Sequence, residues 1–431
     1  MNNIQLKLQT PKFNREVVDA DRTNSYWVEA LDINGNGKSD LLGYGLGDSR
    51  IFTFMNPNWE KRLIAELQGA VGMDHADING NGRNDVVICY QYGKTMKECD
   101  PQGGKIVWLE NPGDPQVKWK HHYIGRATAM HRLRVGYFTQ TEKLEVLGLP
   151  IVGKPGDIYS DVPVVLFSQP DDLSTAKEWK KTIINDKFYH IIHGVSKKQY
   201  NKTRNGSQLD SVLLASQEGI TWLYYDEAAK DWKIELIGKG EQSEFEVTGY
   251  RGSANVDAGR IGDDHFAYIP TVEPFHGNKV AVYVKETDSL LTTVKWKRFV
   301  LDTFKDPDEH GEGPGHHVVC ADFDGDGDDE FLVALRGPSP WQGVYYYKAI
   351  DVKNGVFAKW HITKDSAARI ALADFNGDGR LDFATMGYWV PGYYETEKPE
   401  IVVFKNTFAH LSREQSVIIQ AEQPQEAQTM N

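Results

Sequence analysis

Trp59-Glu60-Lys61-Arg62-Leu63-Ile64 opens a pattern that recurs along the chain: a tryptophan, a basic or polar pair, and then apolar β-formers. Later copies begin at Trp119, Trp179, Trp232, Trp296 and Trp360, so the spacing is 53 to 64 residues. Alternating apolar residues of β-branched and aromatic type are typical of half-exposed strands. A repeat of this length predicts one four-stranded blade of a β-propeller with long loops.

A seventh copy of the pattern lies at the other end of the chain, as Phe13-Asn14-Arg15-Glu16-Val17-Val18. The last repeat, from about residue 368 to 406, contains three strand candidates. The N-terminal strand can supply the fourth, which closes the ring and removes exposed sheet edges. The sequence therefore predicts an all-β, seven-bladed propeller as a single domain over residues 1–410. Residues 411–431, rich in Gln and Glu, are predicted to form a tail.

Composition excludes several classes of function. The formal net charge of −13 disfavours nucleic-acid binding, which needs clustered basic residues. No run of eighteen apolar residues is present, so no membrane partner is expected, and the N-terminal stretch has no apolar core of a secretion signal. Three scattered cysteines disfavour a disulfide framework. We expect a cytoplasmic protein, and a homodimer stays open.

Four glycine-rich acidic loops precede middle strands of the blades. Each places oxygen ligands at positions 1, 3, 5 and 9, which is the arrangement of a calcium or magnesium loop. Hydrogen-bonded turns that need no ion are the open alternative. The predicted structural ligands are Asp32, Asn34, Asn36 and Asp40; Asp77, Asn79, Asn81 and Asp85; Asp322, Asp324, Asp326 and Glu330; and Asp374, Asn376, Asp378 and Asp382.

The first Asp of each loop aligns the innermost strands that line the central channel. In blades without such a loop, Tyr137, Ser196 and Asp257 take its place in the alignment. Six residues before these positions the ring contains Tyr26, Val71, His131, His190, Arg251, His316 and Ala368. Three imidazoles with an open fourth position are the ligand set of a catalytic zinc, so His131, His190 and His316 are predicted to bind zinc. Histidines that only bind backbone groups, or a shifted register, remain alternatives.

Loops on the same face carry aromatic and polar residues that suit a sugar. These are Tyr44, Tyr92, the segment Glu273-Pro274-Phe275-His276-Gly277-Asn278, and the segment Tyr388-Trp389-Val390-Pro391-Gly392-Tyr393. Aromatic rings can stack on a sugar ring, while Glu, His and Asn can donate or accept hydrogen bonds. Ordinary loop packing is the alternative for each aromatic residue alone.

Several unusual segments resemble the propeller of the fungal aldos-2-ulose dehydratase family, also called 1,5-anhydro-D-fructose dehydratases. They include Tyr26-Trp27-Val28-Glu29-Ala30, Gly43-Tyr44-Gly45-Leu46-Gly47, Met130-His131-Arg132-Leu133, Phe275-His276-Gly277-Asn278 and Val390-Pro391-Gly392-Tyr393. The matches spread over about residues 26–406. Met73-Asp74-His75 departs from the family, where His is expected directly after Met, and this puts a ligand or acid at that point in doubt.

The resemblance implies removal of water from a 2-keto-sugar with the help of a divalent metal, and a chain with the propeller alone is expected to dehydrate and stop. We expect the metal to polarise the ketone, His276 or Glu273 to act as base, and Tyr44 or Arg132 to assist the oxyanion or leaving group. Predicted substrate-binding residues are Tyr26, Tyr92, Trp389, Tyr393 and Arg369. Two alternatives stay open: a lyase on uronic-acid polysaccharides, using Arg132, Arg251 and Arg369, and a carbohydrate-binding propeller without activity.

Overall fold

Antiparallel four-stranded sheets repeat around the ring in the computed structural model, which describes residues 8–92, 98–114, 116–199, 206–243, 247–286, 295–306, 308 and 310–408. The predicted tail, residues 411–431, lies outside the described residues. No helix in the described ranges is long and apolar enough to span a membrane.

The strands are numbered in chain order, and each blade runs from the channel outward. After the N-terminal strand β1 (Phe13–Asp19), the first blades are β2 (Trp27–Leu31), β3 (Asp40–Tyr44), β4 (Arg50–Met55) and β5 (Glu60–Glu66); β6 (Gly72–Ala76), β7 (Asp85–Tyr90), β8 (Lys105–Glu110) and β9 (Lys120–Arg126); β10 (Met130–Gly136), β11 (Glu145–Pro150), β12 (Val162–Ser168) and β13 (Lys180–Tyr189); and β14 (Gly194–Lys198), β15 (Ser211–Ser216), β16 (Gly219–Asp226) and β17 (Asp231–Gly238).

The remaining blades follow the same plan with small additions. The fifth contains β18 (Asn255–Val256), β19 (Gly259–Ile261), β20 (Asp264–Glu273), β21 (Lys279–Lys285) and β22 (Trp296–Thr303); the sixth β23 (Gly315–Ala321), β24 (Glu330–Leu335), β25 (Gly343–Asp351) and β26 (Val356–Thr363), with a 3-10 turn at Val352–Asn354; and the seventh β27 (Arg369–Ala373), β28 (Asp382–Met386) and β31 (Ile401–Asn406). A short hairpin of β29 (Trp389–Val390) and β30 (Tyr394–Glu395) rises from the seventh blade.

The N-terminal strand closes the ring. β1 pairs antiparallel with β31, from Phe13 opposite Asn406 to Asp19 opposite Ile401. The ring of Phe13 packs edge-on against Phe383 at 4.9 Å between centroids. The sheet order β1-β31-β28-β27 makes β1 the outer strand of the seventh blade. The predicted seven-bladed architecture and its closure are therefore confirmed.

Two of the repeated tryptophans form backbone hydrogen bonds between neighbouring blades. Trp119 and Trp179 are buried, and each stands directly before the outer strand of its blade. The backbone N–H of Trp119 donates to the carbonyl of Ile64, and that of Trp179 to Ile124. Because Ile64 and Ile124 lie at equivalent positions one blade earlier, the pattern read from the sequence marks the contact between adjacent blades.

Hydrogen bonds organise the acidic loops. Asp32 accepts from the amides of Gly35 and Gly37, both at 2.8 Å, and these glycines have φ of 72° and 80°. Asp40, at position 9, is buried and accepts from the amides of Ile33 and Asn56. Burial raises the pKa of Asp40 to about 6. These contacts match the open alternative of an Asx-type turn.

A lysine side chain forms ion pairs with the most acidic loop, residues 322–330. The ammonium of Lys348 lies 2.6 Å from Asp324, 2.9 Å from Asp326 and 2.7 Å from Glu330. Three of the four carboxylates predicted to bind calcium or magnesium in this loop therefore contact a lysine. Asp322, Asp324 and Glu330 still place one oxygen each within 4.8 Å of one another. Metal binding by the four loops stays a prediction.

Candidate active site

A ring of residues at the start of the inner strands surrounds the channel mouth. The ring residue directly precedes β2, β6, β14, β18 and β27, and it is the second residue of β10 and β23. In chain order the ring contains Tyr26, Val71, His131, His193, Ala254, His316 and Ala368. The alignment from the sequence placed His190 and Arg251 where the structure has His193 and Ala254, a shift of three residues in both blades. These two blades lack an acidic loop, so Ser196 and Asp257 were an unsound reference for the register.

Three histidines converge at this ring. Ligand-capable nitrogens of His193, His276 and His316 all lie within 4.8 Å of one another. Nδ1 of His193 donates to the carbonyl of Ala254 at 2.8 Å, and Nδ1 of His316 donates to that of Ala368. Nε2 of His316 is buried and has no hydrogen-bond partner among the described residues. The Nδ1 contacts place the lone pairs of both rings on Nε2. Nε2 of His193 lies 3.4 Å from Nη2 of Arg132, so a ligand shared with His316 would replace that contact.

His276 reaches this group from the loop between β20 and β21. Its Nδ1 lies 2.9 Å from the hydroxyl of Tyr393 and 3.3 Å from Oε2 of Glu312. Arg336 donates to the same Glu312 oxygen at 2.6 Å and to the Tyr393 hydroxyl at 3.0 Å. The Tyr393 hydroxyl in turn donates to Glu312. Because Nδ1 carries the proton in this network, Nε2 of His276 is also free to bind a ligand.

His131 stands beside the three-histidine group and does not complete it. The His131 and His193 rings lie 5.1 Å apart. Nε2 of His131 is 3.4 Å from the Tyr26 hydroxyl, which accepts from Nη2 of Arg132 at 2.9 Å. Nδ1 of His131 is buried and has no partner among the described residues. This nitrogen therefore has no hydrogen bond within the described chain.

Burial controls the charge of these imidazoles. Burial lowers the pKa of His131, His193 and His316 well below the usual value, and the nearby Arg132 lowers it further. Burial also lowers the pKa of His276, although Glu312 opposes this shift. All four rings are consequently neutral near pH 7, which is the form that binds a metal or accepts a proton.

A cavity of about 820 Å³ opens above the histidines. His131, His193, His276 and Glu312 line its polar part. Aromatic residues form much of the remaining wall: Tyr26, Tyr92, Tyr250, Phe275, Tyr388 and Tyr393. The described lining residues include no Lys or Arg. Polar side chains combined with aromatic walls are a setting for a neutral polyhydroxylated ligand.

Three of the predicted substrate-binding residues, Tyr26, Tyr92 and Tyr393, line this cavity. Trp389 is not among the described lining residues; its backbone pairs with Ser25. Arg132 and Arg369 are buried beside the ring, at 1% and 4% exposure, and neither is among the described lining residues.

Glu273 and Tyr44 lie away from the cavity, which corrects their expected place. Glu273 is fully buried; its carboxylate accepts from Arg298 at 2.8 and 2.6 Å and from Tyr283 at 3.1 Å. Burial raises the pKa of Glu273 to about 7, although Arg298 opposes the shift. Tyr44 is fully buried and stacks on Trp27, with 6.2 Å between ring centroids. Neither residue can touch a substrate in the cavity.

His190 is also separate from the cluster. Its Nδ1 contacts Glu218 at 2.6 Å, and its Nε2 lies 3.5 Å from Asp161. The residue that sequence reasoning missed is His193, and one signal was available. Gly194 follows His193 as Gly72 follows Val71, and a Cβ on either glycine would approach the carbonyl oxygen of the next blade to within 2.6 Å. Glu312 and Arg336 had no comparable signal.

Comparisons with known proteins agree with this architecture. Residues 103–286 match the family model described as aldos-2-ulose dehydratase, beta-propeller domain, and residues 322–385 match an FG-GAP-like repeat. YCF48 from Cyanidioschyzon merolae has a similar fold, with a TM-score of 0.50 and 10% identity, covering 91% of this chain and 98% of that one.

Aldos-2-ulose dehydratase from Phanerodontia chrysosporium is 38% identical over 419 residues, which cover 92% of this chain and 46% of that protein. The chain thus spans about half the length of this curated relative. The resemblance predicted from the sequence is confirmed. This chain is related to aldos-2-ulose dehydratase, and the family model that it matches is the one for that enzyme's β-propeller domain.

Proposed function

We propose that this protein is a sugar dehydratase that removes water from a 2-keto-sugar, such as 1,5-anhydro-D-fructose or an aldos-2-ulose, to give an enone. The observation that carries the proposal is the convergence of His193, His276 and His316, of which His193 and His276 line the cavity. The similarity to a dehydratase supports the type of reaction.

The three histidines fit a divalent metal such as zinc. They offer neutral nitrogens, their Nδ1 atoms are held by acceptors, and the buried Nε2 of His316 lacks a partner in the described chain. His193, His276 and His316 would hold the ion. Of the predicted set His131, His190 and His316, this proposal keeps His316 and replaces the other two with His193 and His276. A bound metal supplies Lewis-acid polarisation of the ketone, which acidifies the neighbouring C–H bond.

The proton transfers are assigned to His131 and Tyr26, because both line the cavity. In the tautomer where Nε2–H of His131 donates to the Tyr26 oxygen, we assign the proton from C3 to Nδ1, which is buried in the described chain, so substrate binding has to expose it. The Tyr26 hydroxyl then donates its proton to the C4 hydroxyl, which leaves as water while the C3–C4 double bond forms. The Tyr26 oxygen, stabilised by Arg132, regains a proton from Nε2 of His131 across their 3.4 Å contact. The proton left on Nδ1 passes to water, and Nε2 takes a proton from water, which restores the starting tautomer. This assignment replaces Glu273 and His276 as the proposed base.

Turnover and metal content separate these roles. The protein is incubated with 1,5-anhydro-D-fructose while ultraviolet absorbance reports the enone and mass spectrometry the loss of one water. His131→Asn is expected to lower kcat by about 10²–10⁴-fold and to keep its zinc. His193→Asn is expected to lose zinc and activity together.

His190→Asn is the matched control, because His190 lies in the same segment as His193 and binds Glu218 instead. It should keep both zinc and turnover. If zinc-loaded protein produces no enone from any keto-sugar, the proposed activity is wrong. Unsaturated oligosaccharides from a uronic-acid polymer would instead favour the lyase alternative, which the described cavity wall disfavours because it offers no Lys or Arg to a carboxylate.

A further inference from the structure

On three inner strands, the residue that follows the ring position is a histidine or an arginine with a buried side chain. His317 on β23 is 7% exposed, Arg369 on β27 is 4% exposed and Arg132 on β10 is 1% exposed. None of them is among the described residues that line the substrate cavity. These three residues are called the channel triad below.

Two hydrogen-bond donors face each other within the triad. The backbone N–H of Ile370 donates to Nδ1 of His317 at 3.2 Å, so the ring proton of the neutral imidazole lies on Nε2. Nη2 of Arg369 lies 3.1 Å from that same Nε2. A guanidinium has no acceptor atom, so this contact places N–H against N–H. A buried arrangement of this kind requires an acceptor that both groups can share.

The positive charge of the triad is only partly compensated. The guanidinium carbon of Arg369 lies 3.5 Å from the ring centroid of Trp27, and that of Arg132 lies 5.2 Å from the same centroid. Neither arginine forms an ion pair within the described chain. Glu29 attracts Arg369 but accepts a hydrogen bond from the Trp27 indole at 3.2 Å. Burial, followed by repulsion from Arg132 and Arg134, lowers the pKa of Arg369 to about 9.

The hydrogen bonds of Arg132 do not remove this excess charge. Its Nη1 donates to the carbonyls of Val71 and His131, and its Nη2 donates to the Tyr26 hydroxyl and lies 3.4 Å from Nε2 of His193. These acceptors are neutral, and Nε has no partner among the described residues. Burying two guanidinium ions beside neutral groups is unfavourable without a counter-charge.

We propose that the channel triad binds a small monovalent inorganic anion, such as chloride, which accepts from Nε2–H of His317 and from the guanidinium of Arg369. Arg132 supplies additional positive charge. The anion would accept a hydrogen bond from each of the two facing donors, and its charge would offset part of the buried positive charge. The proposal concerns a site beside the substrate cavity and does not depend on the proposed activity.

Bromide tests the site directly in the full chain. Crystals grown in sodium bromide should show an anomalous peak between His317 and Arg369. In solution, Tm should rise with chloride or bromide at constant ionic strength, with gluconate as the balancing anion, and the rise should follow the logarithm of halide concentration above its dissociation constant.

Arg369→Gln should abolish the halide dependence of Tm. Arg134→Gln is the control: Arg134 is another channel arginine, but its guanidinium donates to the carbonyls of Leu133 at 2.8 Å and Val195 at 2.9 Å. This variant keeps both donors of the site, so it should keep a halide response, weakened only by the loss of one nearby positive charge. No bromide peak in the wild-type crystal together with a Tm independent of halide would overturn the proposal and would identify water as the shared acceptor. Both wild-type measurements hold even if Arg369→Gln fails to fold.

Discussion

Replacing Glu312 with Gln should weaken metal binding at the three-histidine group without removing a ligand. Glu312 lies 3.3 Å from Nδ1 of His276 and accepts from Arg336 and Tyr393. Although burial opposes it, the combined effect of His276, Arg336 and Tyr393 holds the pKa of Glu312 well below its usual range. The carboxylate is therefore ionised, and it orients His276 so that Nε2 points to the other two histidines.

The magnitude follows from the contacts. Gln keeps the shape of the side chain but loses the negative charge opposite His276 and Arg336. Removal of an outer partner of a metal-bound histidine costs about 10–100-fold in affinity, or about 1.4–2.7 kcal/mol. The buried guanidinium of Arg336 also loses its ion-pair partner, so we expect an additional loss of stability of about 3–5 kcal/mol.

Competition with a chromophoric chelator measures zinc affinity, and urea unfolding measures stability. Glu218→Gln is the matched control, because Glu218 makes the equivalent contact with His190 at 2.6 Å, outside the cluster. Its zinc affinity and kcat should equal those of the wild type. An affinity of Glu312→Gln within twofold of wild type, or an equal loss in both variants, would refute the reasoning.

Three further predictions concern stability. Lys348→Met leaves the carboxylates of the most acidic loop without their ammonium and should lower the free energy of unfolding by about 3–5 kcal/mol. The control Lys359→Met removes an exposed ion pair and should cost about 0–1 kcal/mol. Calcium should stabilise Lys348→Met more than wild type, and equal losses in the two variants would contradict this account. The buried channel histidines have lowered pKa values, so the unfolded chain binds more protons than the folded chain below pH 6.5. As the pH drops below 6.5, urea unfolding should show the free energy of unfolding falling by about 1.4 kcal/mol per pH unit for each such histidine. A flat profile from pH 7 to 5.5 would speak against neutral buried rings. Removal of residues 1–19 takes away β1 and opens the edge of β31, so size-exclusion chromatography should show aggregation, while removal of residues 411–431 serves as the control and should leave the protein monodisperse.

Local patterns were sufficient to predict the blades. The tryptophan repeat and the alternation of apolar residues arise from the pleat of single strands and from contacts that recur in each blade, so they are visible without coordinates. The displaced first copy at Phe13 also predicted the closure of the ring. His131 and His316 could be placed at the channel mouth because each lies six residues before the reference position of its blade, Tyr137 and Asp322.

The composition of the site depended on contacts that no local pattern records. His193 and not His190 faces the channel because the register of β14 is set by pairing with β15 and by the approach of Gly194 to the next blade. His276 joins from a loop, where strand periodicity does not apply. Glu273, three residues earlier, binds Arg298 within the blade instead. The sequence by itself determined the seven blades and most of the ring, because those follow from repetition along the chain. Only the tertiary structure decided which nitrogens meet, since that depends on where separate blades and loops bring their side chains in space.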